Sequence, residues 1–229
     1  MSSKRAIVTF ANERGNYIKG VERLESSLIM DSDFDFIKFI GEQTIGCPPH
    51  LENPYAFKIY AIDKAREMGY TQILWLDSSV AAIKSTKPIW DIIEQDGYIM
   101  QDAGHYVGRW CNDYTLNYFG ITRDEAMTMP MYGNAGLLGL DFKKTIPYQF
   151  FYQWKESMLA GCFKGAWTNN AKTESQDERC AGHRHDMVCG SIIADRMNMK
   201  YQNGENILEY ADLSAPPKNE TIIFKAQGM

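Results

Sequence analysis

Two hydrophobic periods divide the first third of the chain. AIVTF (6–10) is apolar apart from one threonine and reads as a strand buried on both faces. NYIKGVERLESSL follows, with Tyr17, Val21, Leu24 and Leu28 at spacings of four, three and four, which is one face of a helix. DFIKFI (35–40) reads as a second strand and GCPPHLENP as a turn-rich connection. The next helix takes Asn53 as its cap, Pro54 at its first position and Gly69 as its stop, with Phe57, Tyr60, Ala61, Ala65 and Met68 on its apolar face. TQILWL then shows no alternation, since Ile73, Leu74, Trp75 and Leu76 leave neither face polar. The run stops at Asp77, so residues 1–77 spell strand, helix, strand, helix, strand. That order predicts an α/β fold with right-handed crossovers and a mostly parallel sheet. It places Asp77 at the carboxyl end of a central strand, where open α/β sheets bind ligands.

Beyond Asp77 the pattern loosens. KPIWDIIEQDG predicts a short helix with Pro88 near its start, and GYIMQ a strand. Thr122 and Glu125 in TRDE spell a capping box. NAGLLGLDF (134–142) reads as a strand and PYQFFYQWKESMLAG (147–161) as an aromatic helix stopped by glycine. The polar stretch 163–185 exceeds an ordinary connector and is expected to be functional or mobile. DMVCGSIIADRM predicts a final helix that buries Met187, Ile193 and Met197. No repeat, low-complexity tract or composition break divides residues 1–229, which read as one domain.

Composition narrows the function classes. The formal net charge of −5 gives no general attraction to nucleic acid or to an anionic membrane. Five cysteines (Cys47, Cys111, Cys162, Cys180, Cys189) lack paired spacing, as expected of reduced thiols in the cytoplasm. No apolar run of about 18 residues occurs and MSSKRAIVTF leads straight into a strand, so neither anchor nor signal peptide is expected. The absence of GxGxxG, GxxxxGK[ST] and GxSxG counts against dinucleotide-binding dehydrogenases, P-loop enzymes and α/β-hydrolases.

Four polar clusters remain. In TFANERGNY, Thr9, Asn12 and Tyr17 could offer hydrogen bonds and a ring to a base, although a plain turn explains the spacing as simply. Asp77-Ser78-Ser79 reads equally as a ligand site or as a strand-end carboxylate capping backbone amides. Tyr132-Gly133-Asn134-Ala135-Gly136 would let a ligand approach the backbone, though a tight turn suffices on its own. In GHRHD, His183 and His185 would point the same way if extended and could hold a metal. A helix start, however, explains Asp186 through capping and the helix dipole alone.

Taken in order, these stretches resemble glycogenin-type glycosyltransferases. IVTFANERGNYIKGVERLESSL resembles the family's nucleotide-binding opening, and FKIYAIDKAREMGYTQILWLDSS resembles its lysine-bearing helix and Asp-x-Asp strand. YGNAGLLGLDF is similar to its sugar-facing strand, and HRHDMVCGSIIADRM to its Asp-Gln helix start. The resemblance implies a GT-A fold, a Rossmann-like α/β/α sandwich, and transfer of a sugar from a nucleotide-diphosphate sugar, UDP first, to an acceptor hydroxyl. Carried over, Thr9, Phe10, Ala11, Asn12 and Tyr17 line the nucleotide pocket, and Lys58 neutralises donor phosphate or touches its sugar. Asp77, with Ser78 and Ser79, lies near ribose and metal. Asn134, Ala135 and Gly136 flank the sugar, Asn134 counting with Asp186 among the catalytic candidates.

Three departures bear on the chemistry. Ser79 stands where the family's second Asp-x-Asp carboxylate binds metal, Met187 replaces the glutamine, and TIIFKAQGM puts Lys225 near the place of a C-terminal metal-binding histidine. A diphosphate leaving group needs its charge neutralised by a divalent metal or by cationic side chains. Two schemes follow: metal-independent transfer with Lys58 and Lys225 supplying the charge, or Mn²⁺ or Mg²⁺ held by Asp77 with Ser79, His183 or His185. The acceptor is a glycan, a protein or a small molecule, a nucleic-acid acceptor being disfavoured by the acidic charge; Trp167 marks where acceptor contacts would lie. A non-catalytic sugar-nucleotide or glycan binder and a nucleotidyltransferase are the competing classes.

Overall fold

The computed structural model describes residues 3–13, 15–133, 136–201 and 207–227. The opening alternation forms as the periods dictate: β1 (Arg5–Ala11), α1 (Asn16–Ser27), β2 (Asp35–Ile40), α2 (Ala56–Glu67) and β3 (Gln72–Leu76). β1 pairs in parallel with both β2 and β3. All five residues of β3 are buried, as its unbroken apolar run requires.

The chain continues through β4 (Val80–Ala82), α3 (Lys87–Asp96), β5 (Tyr98–Ile99), β6 (Gln101–Tyr106), α4 (Asp113–Phe119), α5 (Arg123–Ala126), β7 (Pro130–Gly133), β8 (Leu137–Asp141), α6 (Thr145–Leu159), α7 (His185–Arg196), β9 (Leu208–Tyr210) and β10 (Phe224–Ala226). The central sheet has the order β2-β1-β3-β8-β5. β8 runs antiparallel to both neighbours, while the other four strands share a direction. Its reversal follows from its approach. The antiparallel β6–β7 pair, joined through α4 and α5, leaves the chain at the carboxyl edge of the sheet, and β8 enters from there without a crossover helix. The fold is therefore mixed α/β with a mostly, not wholly, parallel sheet.

Alternation along each strand separates two apolar layers. Val8, Phe10, Ile73, Trp75, Leu138 and Leu140 face a core built with α2, α6 and α7. Ile7, Leu74, Leu76 and Leu137 face a second core shared with α1, α3 and the small β4-β10-β9 sheet. Helices thus cover both faces, and this layering holds the carboxyl ends of β1 and β3 in a fixed relation.

Several local expectations hold and several fail. The Thr122–Glu125 capping box forms, with both reciprocal bonds made. Gly69 ends α2 at φ +90°, a conformation that suits glycine. Asn53 does not cap α2 and Pro54 is not its first residue; the helix starts at Ala56 behind Tyr55, whose φ is 61°. Tyr55 holds that left-handed backbone because its ring is packed against His50, Phe57 and His185. Met68 is half exposed rather than on the buried face. In α7, Ile193 is fully buried, whereas Met187 and Met197 pack only partly against the core. Among the described residues, no helix is long and apolar enough to cross a membrane.

Candidate functional site

The strand β3 delivers Asp77 past the last ladder pair, and three contacts fix it. Its Oδ1 accepts from the Trp75 indole at 2.8 Å, two residues back on the same strand face. Its N–H donates to the carbonyl of Gly136 at 3.0 Å, which ties the start of β8 to the site. Lys58, from the first turn of α2, approaches Oδ1 at 3.5 Å. The following residues are also held: the carbonyl of Ser79 accepts from Arg23 Nη2 at 2.7 Å and from the Gln227 amide at 3.2 Å.

Lys58 also approaches Asp186 Oδ2 at 3.0 Å. The lysine and Asp186 keep only 1% and 2% of side-chain exposure, whereas Asp77 keeps 32%, so Asp77 is the member open to a ligand. Asp186 comes from the first turn of α7, where the helix dipole favours an anion. Its Oδ2 makes the ion pair but no well-directed hydrogen bond, leaving acceptor capacity at the base of the cleft. The helix start is pinned from behind: Trp154 Nε1 donates to the Asp186 carbonyl at 2.9 Å, and a Cβ on Gly190 would meet the Tyr132 ring at 2.3 Å.

Two adjoining cavities meet at Asp77 and Tyr55. The first, of about 260 Å³, is lined by Phe10, Ala11, Asn12, Tyr17, Ser78 and Ser79, with Glu42, His50 and Phe57 completing it. Phe10 and Phe57 stack at 4.6 Å in its wall. Among the described residues no lysine or arginine lines it, while the carboxylates of Glu42 and Asp77 do, so it suits a neutral, hydroxyl-bearing group with a flat ring. The second, of about 390 Å³, holds Lys58, Gly136, Asp186 and Met187 together with Arg184, Trp110, Trp167 and Tyr210.

Burial raises the Asp77 carboxyl above its ordinary 3.8; Lys58 and the Trp75 indole oppose the rise and Asp186 adds to it. A carboxyl raised on folding favours the fold when protonated. Its contribution is complete below the unfolded value and is lost as pH climbs through the folded one. At neutral pH the ionised Asp77 is a net cost, so Asp77→Asn is expected to resist urea as well as or better than wild type at pH 7. A lower unfolding midpoint would contradict this.

Several of the sequence-derived candidates lie elsewhere. Thr9 is fully buried in β1 and lines neither cavity, because Phe10 and Ala11 occupy the strand end. Lys225 is buried on β10 with Nζ donating to the carbonyls of Asp212 and Ala215, on the strand face opposite Tyr210. Asn134 and Ala135 lie outside the described residues. His183 is sequestered: its Nδ1 accepts from the Asn112 amide at 3.2 Å and its Nε2 donates to the Cys162 carbonyl at 2.8 Å. Burial holds its pKa down, to about 3, so the ring is neutral at physiological pH. His185 spends Nδ1 on the Phe163 carbonyl at 2.8 Å and stacks between Tyr55 and Trp167.

The donor set therefore does not suit a divalent metal. Asp77 Oδ1 is held by Lys58 and Trp75, Ser79 is no carboxylate, and the two histidines serve the Cys162 and Phe163 carbonyls. Among the described residues, no group of three or more His, Cys, Asp or Glu side chains is arranged to hold one. Sequence reading overlooked His50, Tyr55, Trp110 and Arg184. His50 and Tyr55 sat in or beside the turn-rich stretch before α2, and Arg184 inside the GHRHD cluster; only Trp110 lay apart from any such stretch. No protein-family model matches this chain, and no curated protein matches it.

Proposed function

We propose that the protein is a glycosyltransferase that moves a sugar from a nucleotide-diphosphate sugar to an acceptor hydroxyl. The observation that carries this reading is the placement of Lys58 between Asp77 and Asp186, where the Phe10–Phe57-walled cavity and the one holding Lys58 and Arg184 meet. The 260 Å³ cavity takes the nucleoside, with Glu42 and Asp77 accepting from ribose hydroxyls and the Phe10–Phe57 pair beside the base. The sugar lies over Gly136, whose missing side chain leaves space: a Cβ there would come within 3.5 Å of Asp77 Oδ2 and 3.3 Å of the Tyr210 hydroxyl.

In the reaction, the bond between the anomeric carbon and the diphosphate oxygen breaks, and its electron pair leaves with the diphosphate. The acceptor oxygen bonds to that carbon, and its proton passes to Asp186. Lys58 holds both carboxylates in place while the positive charge develops. Side-chain cations, rather than a metal, serve the leaving group, consistent with the donor set around Asp77. A non-catalytic sugar-nucleotide binder is the second reading, favoured by Ser79 at the place of a carboxylate.

A thermal-shift screen against UDP-, GDP-, ADP- and dTDP-sugars, each with Mn²⁺ and with EDTA, tests the proposal. One nucleotide class is expected to stabilise the protein by about 2.7 kcal/mol at a hundredfold excess over its dissociation constant. The shift is expected to be equal in EDTA. Stabilisation by none of the four overturns the reading, and a shift that appears only with Mn²⁺ overturns its metal-independent form.

A further inference from the structure

A diphosphate leaving group needs a cation, and the site's obvious ones are engaged. Lys58 is shared between two carboxylates, and Lys225 is bound to backbone carbonyls away from the cleft. Arg184 is different. Its guanidinium lies between two indoles, 3.8 Å from the Trp110 ring centre and 3.7 Å from that of Trp167. Nη1 donates to the carbonyls of Trp167 at 2.5 Å and His183 at 3.3 Å. Nε and Nη2 make no hydrogen bond among the described residues, and no carboxylate there comes within ion-pair reach of the group. Arg184 lines the same 390 Å³ cavity as Lys58, Asp77 and Asp186.

An arginine held flat between aromatic faces has lost its freedom to swing toward a counter-ion, and burial here disfavours its charge. Its remaining edge is the planar, two-donor fork that matches a phosphate. We infer that Arg184, clamped by Trp110 and Trp167, binds the diphosphate of the donor and neutralises the charge it carries away. This rests on the glycosyltransferase reading. It gives the role first assigned to Lys225 to a residue that lines the cleft.

The test is calorimetric binding of uridine and UDP to wild type, Arg184→Gln and Arg184→Lys, in EDTA. Wild type is expected to bind UDP more tightly than uridine. Arg184→Gln is expected to weaken UDP about 10- to 100-fold and leave uridine within about twofold, the loss of a charge-assisted pair. Arg184→Lys, which keeps the charge without the fork, is expected to fall between. Equal loss for both ligands would make Arg184 a structural wall and overturn the inference. An unchanged UDP affinity would do the same while leaving the transferase reading intact. Failure of wild type to bind UDP, or ADP, GDP and dTDP tried in its place, would remove the reading and the inference together.

Discussion

Asp186→Asn lowers the turnover number for sugar transfer by about a thousandfold, within the range for loss of a positioned proton acceptor, and leaves nucleotide binding nearly unchanged. The expectation follows from position. Asp186 is 2% exposed and lines only the charged cavity, while the nucleoside cavity reaches Asp77 but not Asp186. An amide fills the same space and keeps the start of α7, which Trp154 holds through the backbone. Turnover and binding therefore separate at this residue, in contrast to Asp77→Asn, where binding itself is expected to fail. Steady-state rates together with calorimetry on both variants check the separation. An Asp186→Asn enzyme that loses nucleotide binding in proportion to turnover would place the carboxylate in the donor site instead.

Lys58→Met is the largest expected change in stability. The lysine is 1% exposed, and its removal leaves two carboxylates facing each other without a cation. Breaking a buried ion pair from one side costs about 3–5 kcal/mol. Urea unfolding at pH 7 is expected to show a loss of that size, and activity is expected to disappear. The double variant Lys58→Met/Asp186→Asn removes the stranded charge as well and is expected to recover a good part of the stability but none of the activity. If the single variant loses less than about 1 kcal/mol, the carboxylates do not depend on the lysine and the electrostatic account of the site fails.

The parts of this site that were legible in the sequence are those fixed by local pattern. An apolar run with no alternation has to be a strand covered on both faces, so β3 and the position of Asp77 follow directly. Lys58 was legible only through the resemblance, because one lysine in a helix that also carries Asp63, Lys64, Arg66 and Glu67 gives no periodic signal. The reversal of β8 was not legible, since strand direction depends on where the chain returns to the sheet and not on the strand's own residues. Asn53 failed as a cap because aromatic packing around Tyr55 outweighs a capping preference worth about 1 kcal/mol. His183 and His185 looked like a pair of ligands because their spacing is visible, while the carbonyls of Cys162 and Phe163 that their nitrogens meet come from a loop 21 and 22 residues away. Arg184 was hidden for the same reason: its two indole partners meet only in three dimensions.

The Lys58–Asp77–Asp186 cluster is expected to break the bond between a sugar and a nucleoside diphosphate. Many transferases pass the sugar slowly to water when no acceptor is present, so chromatographic detection of released nucleoside diphosphate tests it most directly. Wild type, incubated in EDTA with the sugar nucleotide that stabilises it, is expected to release the diphosphate, and Asp186→Asn is expected to release none above background. Binding without release, or equal release by the two proteins, would contradict the account.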